Sequence, residues 1–297
     1  DGVNAQGEFS TAELALLLEL PVLLVVNCSK TTRTVAALVL GCQAFDPRLR
    51  IAGVILNQIA NPRHESVIRQ SLELYTDVPV LGTMPRLRQD IFPMRHLGVT
   101  PHQEYAQATE AVERLAALAE THFDLDAIIM RMRDTLPLPA PKSAAGKAQV
   151  TIGVLRDAAF QFYYEDNLEA LVKAGANLVM IDALHAPALP DGLDGLYIGG
   201  GFPETSAQQL ADNESFRHSV RTQIDAGLPV YAECGGLIFL GRSIILEGRE
   251  YPLAGVFPVT FGIGAKPQAH GYSTFVVEQE NPFYPVGTRI KGHEFRY

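Results

Sequence analysis

A single cysteine stands where an apolar stretch gives way to a helical pattern in the second half of the chain. The stretch that begins at Leu228 ends at Cys234, which is followed at once by two glycines. A side chain on such a sharp strand-to-helix turn projects from the edge of a sheet, and a neighbouring glycine lets a substrate approach the backbone. The N–H groups at the helix start favour a thiolate. On this pattern alone, a nucleophile and a buried structural cysteine are equally good interpretations.

Two further motifs supply groups that such a nucleophile needs. His293, near the end of the sequence, is a candidate general base for the thiol. Three glycines, residues 199–201, follow an apolar run and precede a helical pattern. An N–H group of Gly200 or Gly201, together with that of Gly235, would stabilise an oxyanion. Taken alone, the glycine loop is more typical of an ordinary turn or a weak phosphate loop. Beside the cysteine turn, an oxyanion hole is favoured.

The order of these motifs resembles a known family. They run as Gly-Gly-Gly-Phe-Pro-Glu, then Ala-Glu-Cys-Gly-Gly-Leu, then Gly-His-Glu-Phe. Over residues 150–297 this resembles the class I glutamine amidotransferase domain of the cobyrinic acid a,c-diamide synthase family. The resemblance implies that Cys234 attacks the side-chain amide of glutamine, that ammonia leaves, and that water hydrolyses the glutamyl thioester. It also implies that His293 moves the protons.

One position departs from the pattern of many triad amidotransferases, which carry an acid two residues after the histidine. Here that position is Phe295, and the adjacent Glu294 would point to the opposite face of an extended segment. We therefore predict a Cys–His dyad in which Glu294 has a structural role. A backbone carbonyl is one group that could orient His293.

An aromatic segment, residues 160–169, carries Asn167 near the start of a predicted helix. It is similar to a Phe-x-Phe-Tyr-Tyr-x-x-Asn-Leu segment of the same family. We predict that the segment packs against neighbouring elements and caps the helix, in preference to contacting a ligand.

The first half of the chain resembles the nucleotide-binding domain of the same synthases. Ammonia converts a carboxylate to an amide only after the acid is activated, usually by ATP, so a site for ATP and Mg²⁺ is expected. Residues 10–26, 51–57 and 80–86 resemble a dethiobiotin-synthetase-like P-loop domain. By that resemblance Asn57, at a strand end, contacts adenine; the alternative is that it caps a helix or turn. The motif Gly-x-x-x-x-Gly-Lys-Ser/Thr does not occur in the sequence.

The first residues fit a partial P-loop domain. Asp1 and Gly2 resemble the end of a family motif that lies after the P-loop, so we expect the chain to be truncated at its N-terminus. Asp1 would then be an acid near Mg²⁺ or the substrate, and a disordered terminal residue is the alternative. Because the sequence stops soon after His293, we also expect missing C-terminal residues.

The elements around these motifs are expected to form two doubly wound α/β domains. Short apolar runs alternate with helical patterns in both halves, which is typical of buried parallel strands. We predict a synthetase domain at residues 1–135, a proline-rich linker at 136–149 and an amidotransferase domain at 150–297. Within the last, the pattern predicts one helix over 206–226 and a short strand over 253–257.

Composition excludes several classes of protein. The 297 residues are 47% hydrophobic and 19% charged, which indicates a globular fold. A net charge of −9 predicts no nucleic-acid partner, and the longest apolar run, Leu14 to Val26, is too short to cross a bilayer. Three scattered cysteines predict neither a disulfide framework nor a metal site, and they fit the cytoplasm.

Together these features predict an ATP- and glutamine-dependent ligase that amidates peripheral carboxylates of a tetrapyrrole. Motif order favours cobyrinic acid as the substrate; sirohydrochlorin or siroheme carboxylates, and cobyric acid synthesis, are alternatives. A free-standing glutaminase and a non-catalytic, P-loop-like regulatory protein are alternatives of other kinds. The expected ligands are glutamine, a tetrapyrrole polycarboxylate, ATP and Mg²⁺. No membrane partner is predicted, and a homodimer is left open.

Overall fold

The structure is a computed structural model, and it describes residues 4–87, 108–133, 135, 149–264, 266, 268–281 and 283–296. The chain divides into a first unit, Asp1–Pro141, and a second unit, Lys142–Tyr297. The predicted linker lies outside the described residues except for Gln149, and so does Asp1. No helix in the described ranges is long and apolar enough to span a membrane.

A parallel three-stranded sheet organises the first unit. Its strands lie in chain order, β1 (Val22–Asn27), β2 (Ile51–Ile59) and β3 (Val80–Pro85). The helices are α1 (Thr11–Leu17), α2 (Thr34–Phe45), α3 (Pro62–Tyr75), α4 (Ala108–His122) and α5 (Leu125–Met132). Parallel neighbours need a crossover connection, and α2 and α3 provide the two crossovers. Val39, Leu56 and Leu72 are buried in the core that α2, β2 and α3 share.

A parallel four-stranded sheet organises the second unit, in the order β5-β4-β6-β7. The strands are β4 (Val150–Leu155), β5 (Ala176–Ile181), β6 (Gly195–Ile198) and β7 (Val230–Ala232). The helices are α6 (Glu165–Lys173), α7 (Ala207–Asp212), α8 (Glu214–Asp225) and α9 (Gly235–Leu240). From β4 the chain first forms β5 on one side and then returns to form β6 on the other side. The strand order therefore reverses between β4 and β6. Ligands of such sheets bind outside the carboxyl ends of the strands at this reversal.

Short strands follow α9. They are β8 (Ser243–Leu246), β9 (Arg249–Pro252), β10 (Thr260–Gly262), β11 (Ala269–Val276) and β12 (Arg289–Arg296). The first three form a sheet in the order β10-β8-β9, and β11 pairs antiparallel with β12. Phe160, Phe216 and Phe239 lie fully buried in the core of the unit. Both parallel sheets confirm the predicted α/β class.

Three predicted elements differ from the structure. The single helix predicted over 206–226 is divided into α7 and α8, because the Asn213 side chain accepts the N–H of Phe216 (3.4 Å) and begins a second helix. The strand predicted over 253–257 does not form; Leu253 lies in a loop and is buried in the core. The strand predicted to end at Asn57 continues for two more residues, to Ile59.

Candidate functional site

Cys234 lies on a strained turn between β7 and α9. Its backbone has φ 50° and ψ −116°, which residues other than glycine rarely adopt. Such a conformation costs about 1–3 kcal/mol, so the surrounding structure must hold it. Glu233 N–H donates to the Ile198 carbonyl (3.1 Å), and Gly236 N–H donates to the Glu233 carbonyl (2.9 Å). The thiol is exposed, so the turn presents it to a ligand.

The predicted oxyanion glycines surround this turn. A methyl group on Gly200 would lie 3.3 Å from the Cβ of Cys234, and one on Gly235 would lie 3.1 Å from the Gly201 nitrogen. Contacts this close leave no room for larger side chains without movement of the backbone. The structure therefore brings the loop after β6 and the cysteine turn together.

The three glycines differ in what their backbone groups already bind. Gly200 forms an antiparallel bridge with Phe162, and its carbonyl accepts the N–H groups of Gln161 (3.0 Å) and Phe162 (2.9 Å). Among the described residues, the N–H groups of Gly201 and Gly235 have no hydrogen-bond acceptor. The bonds to the Gly200 carbonyl leave the predicted choice between the N–H groups of Gly200 and Gly201 open, and Gly200 lies in close contact with the cysteine.

The aromatic segment after β4 forms one wall of the glycine loop. The Tyr163 hydroxyl accepts the N–H of Gly199 (2.8 Å) and donates to the Leu155 carbonyl. Burial raises the pKa of Tyr163, so the hydroxyl keeps the proton that it donates. The predicted packing role is confirmed. The predicted helix cap is wrong, because α6 begins after Tyr164 and Asn167 lies inside its first turn.

A carboxylate next to the cysteine is held by a buried tyrosine. The Tyr197 hydroxyl donates to Oε1 of Glu233 (3.0 Å), and its ring packs edge-on against Tyr163 and Tyr231 with centroids 5.1 and 5.5 Å away. Burial, followed by the Glu233 charge, raises the pKa of Tyr197 to about 12. The bond fixes the residue immediately before Cys234. Sequence reasoning missed this pair, since a tyrosine within an apolar strand gives no sign of its partner.

His293 lies on β12, and its side chain is exposed. It pairs across the strands with Tyr272, and the two rings meet at 63° with centroids 5.4 Å apart. Glu294 follows it on the extended strand and so faces the other side. The structure gathers the predicted glycines at the cysteine turn, and the Cys234–His293 dyad stays a prediction.

Asn57 lies on β2 beside Asn27 of β1. Its side-chain oxygen accepts the N–H of Gln58 (2.9 Å), a residue with a φ of 65°, and its carbonyl accepts the N–H of Cys28 (2.8 Å). The cap of α3 is Asn61 instead. Asn57 thus lies within β2, beside a register shift between Leu56 and Ile59, and caps neither a helix nor a turn. Its adenine contact stays a prediction.

The predicted ATP site falls only partly on residues that the structure describes. The P-loop motif that would cradle the phosphates is absent from the sequence, and Asp1 lies outside the described residues. Asn57 is thus the one predicted nucleotide contact within the described ranges.

Comparison with known proteins gives matches along the whole chain. Residues 151–297 match the CobB/CobQ-like glutamine amidotransferase domain, and residues 2–91 match an AAA domain. Relatives named cobyrinate a,c-diamide synthase come from Magnetococcus marinus (39% identical over 306 residues), Synechococcus sp. (40% over 302) and Archaeoglobus fulgidus (39% over 301). The alignments cover 100%, 99% and 100% of this chain and 65%, 66% and 65% of the relatives. The chain thus spans about two thirds of their length.

Proposed function

We propose, from the premise that this chain belongs to the cobyrinate a,c-diamide synthase family, that its second unit hydrolyses glutamine to supply ammonia. The whole protein would use that ammonia to amidate peripheral carboxylates of a tetrapyrrole, with cobyrinic acid as the proposed substrate. The observation that carries the proposal is the strained turn that presents the Cys234 thiol, with Gly200 and Gly235 close beside the turn.

The proposed reaction begins when the thiolate of Cys234 attacks the side-chain carbonyl carbon of glutamine. The carbonyl oxygen becomes an oxyanion, to which the N–H group of Gly200 or Gly201 and that of Gly235 donate. The C–N bond then breaks, and a proton from His293 joins the leaving nitrogen, so that ammonia departs. Water attacks the glutamyl thioester and gives its proton to His293, the C–S bond breaks, and glutamate leaves.

The remaining proposed site residues serve the activation of the substrate carboxylate that receives the ammonia. Activation of a carboxylate by ATP with Mg²⁺ is proposed for the whole protein, because ammonia does not displace a carboxylate oxygen unaided. Asn57 is the proposed adenine contact, and Asp1 is the proposed acid near Mg²⁺. Glu294 has no place in the proposed dyad, since neighbouring strand residues face opposite sides.

The test of the glutaminase proposal is glutamate release from glutamine by this chain. Cys234→Ser should lower the rate at least about a thousandfold, because it removes the nucleophile. Cys42→Ser is the matched control, since Cys42 is another free thiol in the same chain but lies in the first unit. Equal rates for the wild type and Cys234→Ser would overturn the proposed site.

A second test applies to the whole protein. Cys234→Ala should lose amidation with glutamine and retain amidation with ammonium chloride, because only the first route needs the thiol. Mass spectrometry of products from a panel of tetrapyrrole acids would identify the substrate. Loss of both routes in the variant would contradict a separate ammonia-supplying site.

A further inference from the structure

An open cavity of about 710 Å³ lies at the carboxyl ends of the strands of the first unit. Its walls come from the segments that follow β1, β2 and β3, including the start of α3. Each segment contributes one cationic side chain to the wall, Lys30, Arg63 and Arg86 in turn. This edge of a parallel sheet is where α/β folds place their ligands. The cavity is therefore at the right place for a ligand, and its charge indicates an anion.

The cationic side chains of the cavity have no ion-pair partner among the residues that the structure describes. In the described ranges, Lys30, Arg63 and Arg86 form no ion pair, whereas Arg48 and Arg69 of the same unit do. The whole chain carries a net charge of −9. Three cations without an ion pair around one opening attract anions. The charge of the cavity therefore favours a negatively charged ligand.

Backbone conformation and a buried hydroxyl also indicate a ligand here. Lys30 follows the end of β1 and has a φ of 59°. Gln58 lies next to the last residue of β2 and has a φ of 65°. Such strained residues cluster at binding sites. The Thr31 hydroxyl is buried and has no hydrogen-bond partner in the described part of the chain, although Thr31 lines the cavity. Buried hydroxyls normally have a partner, and an anion in the cavity would accept this proton.

His64 holds two of the loops together. Its Nδ1 accepts the N–H of Ala60 (3.1 Å), which leaves Nε2 to donate to the Thr31 carbonyl (2.6 Å). The two bonds use both ring nitrogens and define a neutral tautomer. His64 therefore shapes the cavity wall and does not bind the ligand itself.

We propose that this cavity binds carboxylate groups of the acid that is to be amidated, through Lys30, Arg63 and Arg86, with the Thr31 hydroxyl as a further donor. The identity of that acid as a tetrapyrrole polycarboxylate rests on the proposed function. Carboxylate and phosphate share the ability to bind cations. Single cations on three separate segments of the chain suit several carboxylates, whereas one phosphate is usually held by consecutive backbone N–H groups.

The test is fluorescence titration of this chain with uroporphyrin, a porphyrin polycarboxylate, at low ionic strength. Arg63→Gln and Arg86→Gln should each weaken binding about tenfold, the loss typical of a charge-assisted hydrogen bond. Arg48→Gln is the matched control, because it makes the same charge change at an arginine paired with Asp46 (2.7 Å) away from the cavity, and it should bind like the wild type. Arg63 lies in the first turn of α3, where a cation is unfavourable, so its variant should melt no earlier than the wild type.

Competition for uroporphyrin binding distinguishes a carboxylate site from a phosphate site. Displacement of uroporphyrin by tricarballylate but not by ATP or inorganic phosphate supports a carboxylate site. If ATP displaces uroporphyrin and the same variants weaken ATP binding, the cavity is a nucleotide site and the proposal is overturned. Equal uroporphyrin affinity in all variants, or no uroporphyrin binding at all, also overturns it. Glutamine hydrolysis is measured on the same samples. Normal hydrolysis without porphyrin binding rejects this inference alone, and porphyrin binding without hydrolysis rejects the proposed function alone.

Discussion

Cys234 and Cys28 differ in their surroundings, and the difference distinguishes an accessible thiol from a buried structural one. Cys234 has a positive φ and an exposed thiol, and its neighbours are glycines. Cys28 is buried, its thiol contacts the Val26 carbonyl (3.4 Å), and burial raises its pKa. A thiol becomes reactive where it is accessible and where its charge is stabilised. By these criteria, accessibility already distinguishes Cys234 as the candidate nucleophile.

Tyr197→Phe should change how the stability of the second unit depends on pH. The pKa of Tyr197 is raised to about 12 in the folded protein, and an unfolded tyrosine ionises near about 10. Between these values the unfolded state binds fewer protons than the folded state, so the free energy of unfolding falls as pH rises. The variant lacks this contribution. Urea unfolding from about pH 9 to about pH 11.5 should therefore show a shallower decline in the variant.

Tyr164→Phe provides the control for that experiment. Tyr164 belongs to the same unit, but 79% of it is exposed. Its variant should follow the pH dependence of the wild type. Superimposable curves for the wild type and Tyr197→Phe would show that the hydroxyl of Tyr197 is not protected by burial and by its bond to Glu233.

Two elements of the second unit meet so closely that glycine is required between them. A methyl group on Gly236, in the first turn of α9, would lie 2.4 Å from the carbonyl oxygen of Ile198, the last residue of β6. The approach brings the cysteine turn against the glycine loop. A second contact concerns the segment between β11 and β12, where the ring of Phe283 packs against Tyr231 of β7 (centroids 6.0 Å). Contacts between elements thus hold the cysteine turn against the glycine loop and the segment between β11 and β12 against β7.

Gly236→Ala should destabilise the protein even though alanine is the better helix former. Relief of the clash with Ile198 requires movement of α9, at a cost of about 1–3 kcal/mol. Gly41→Ala is the matched control, because nothing lies within 4 Å of a methyl group at that position of α2. There the change should stabilise by about 1 kcal/mol. Thermal unfolding would measure both effects, and stabilisation by both changes would contradict the close contact. Glutamine hydrolysis should fall only in Gly236→Ala.

At the scale of the whole molecule, each of the two units buries a core of its own. The first unit buries side chains such as Val39 and Leu56 between its sheet and helices. The second buries Phe160, Phe216 and Phe239 in a separate cluster. A separate core is what allows a domain to fold independently. The proposed glutaminase residues all belong to the second unit, whereas the cationic cavity belongs to the first.

Residues 149–297 expressed alone should therefore fold and hydrolyse glutamine. We expect one cooperative thermal transition in circular dichroism and a rate of glutamate release within about threefold of the whole chain, since no proposed catalytic group is removed. The whole chain, measured in parallel, is the reference. A non-cooperative transition, or loss of hydrolysis by a folded product, would show that the second unit depends on the first.

Local patterns in the sequence were sufficient for the α/β class and for the glycines around Cys234. Apolar runs, helical periodicity and glycines at turns depend on neighbours along the chain, so they are visible before folding. The same reasoning failed at Asn213, where one capping side chain divides a continuous helical pattern, and at Leu253, where burial in a loop resembles a strand.

The sequence by itself determined the nucleophile candidate, the order of the motifs and the family. Tertiary structure alone decided that Tyr197 holds Glu233 and that Lys30, Arg63 and Arg86 surround one cavity. These residues are distant along the chain and meet because adjacent parallel strands bring successive loops to the same edge of a sheet. Strand order is a property of the folded chain, and periodicity along the sequence does not specify it.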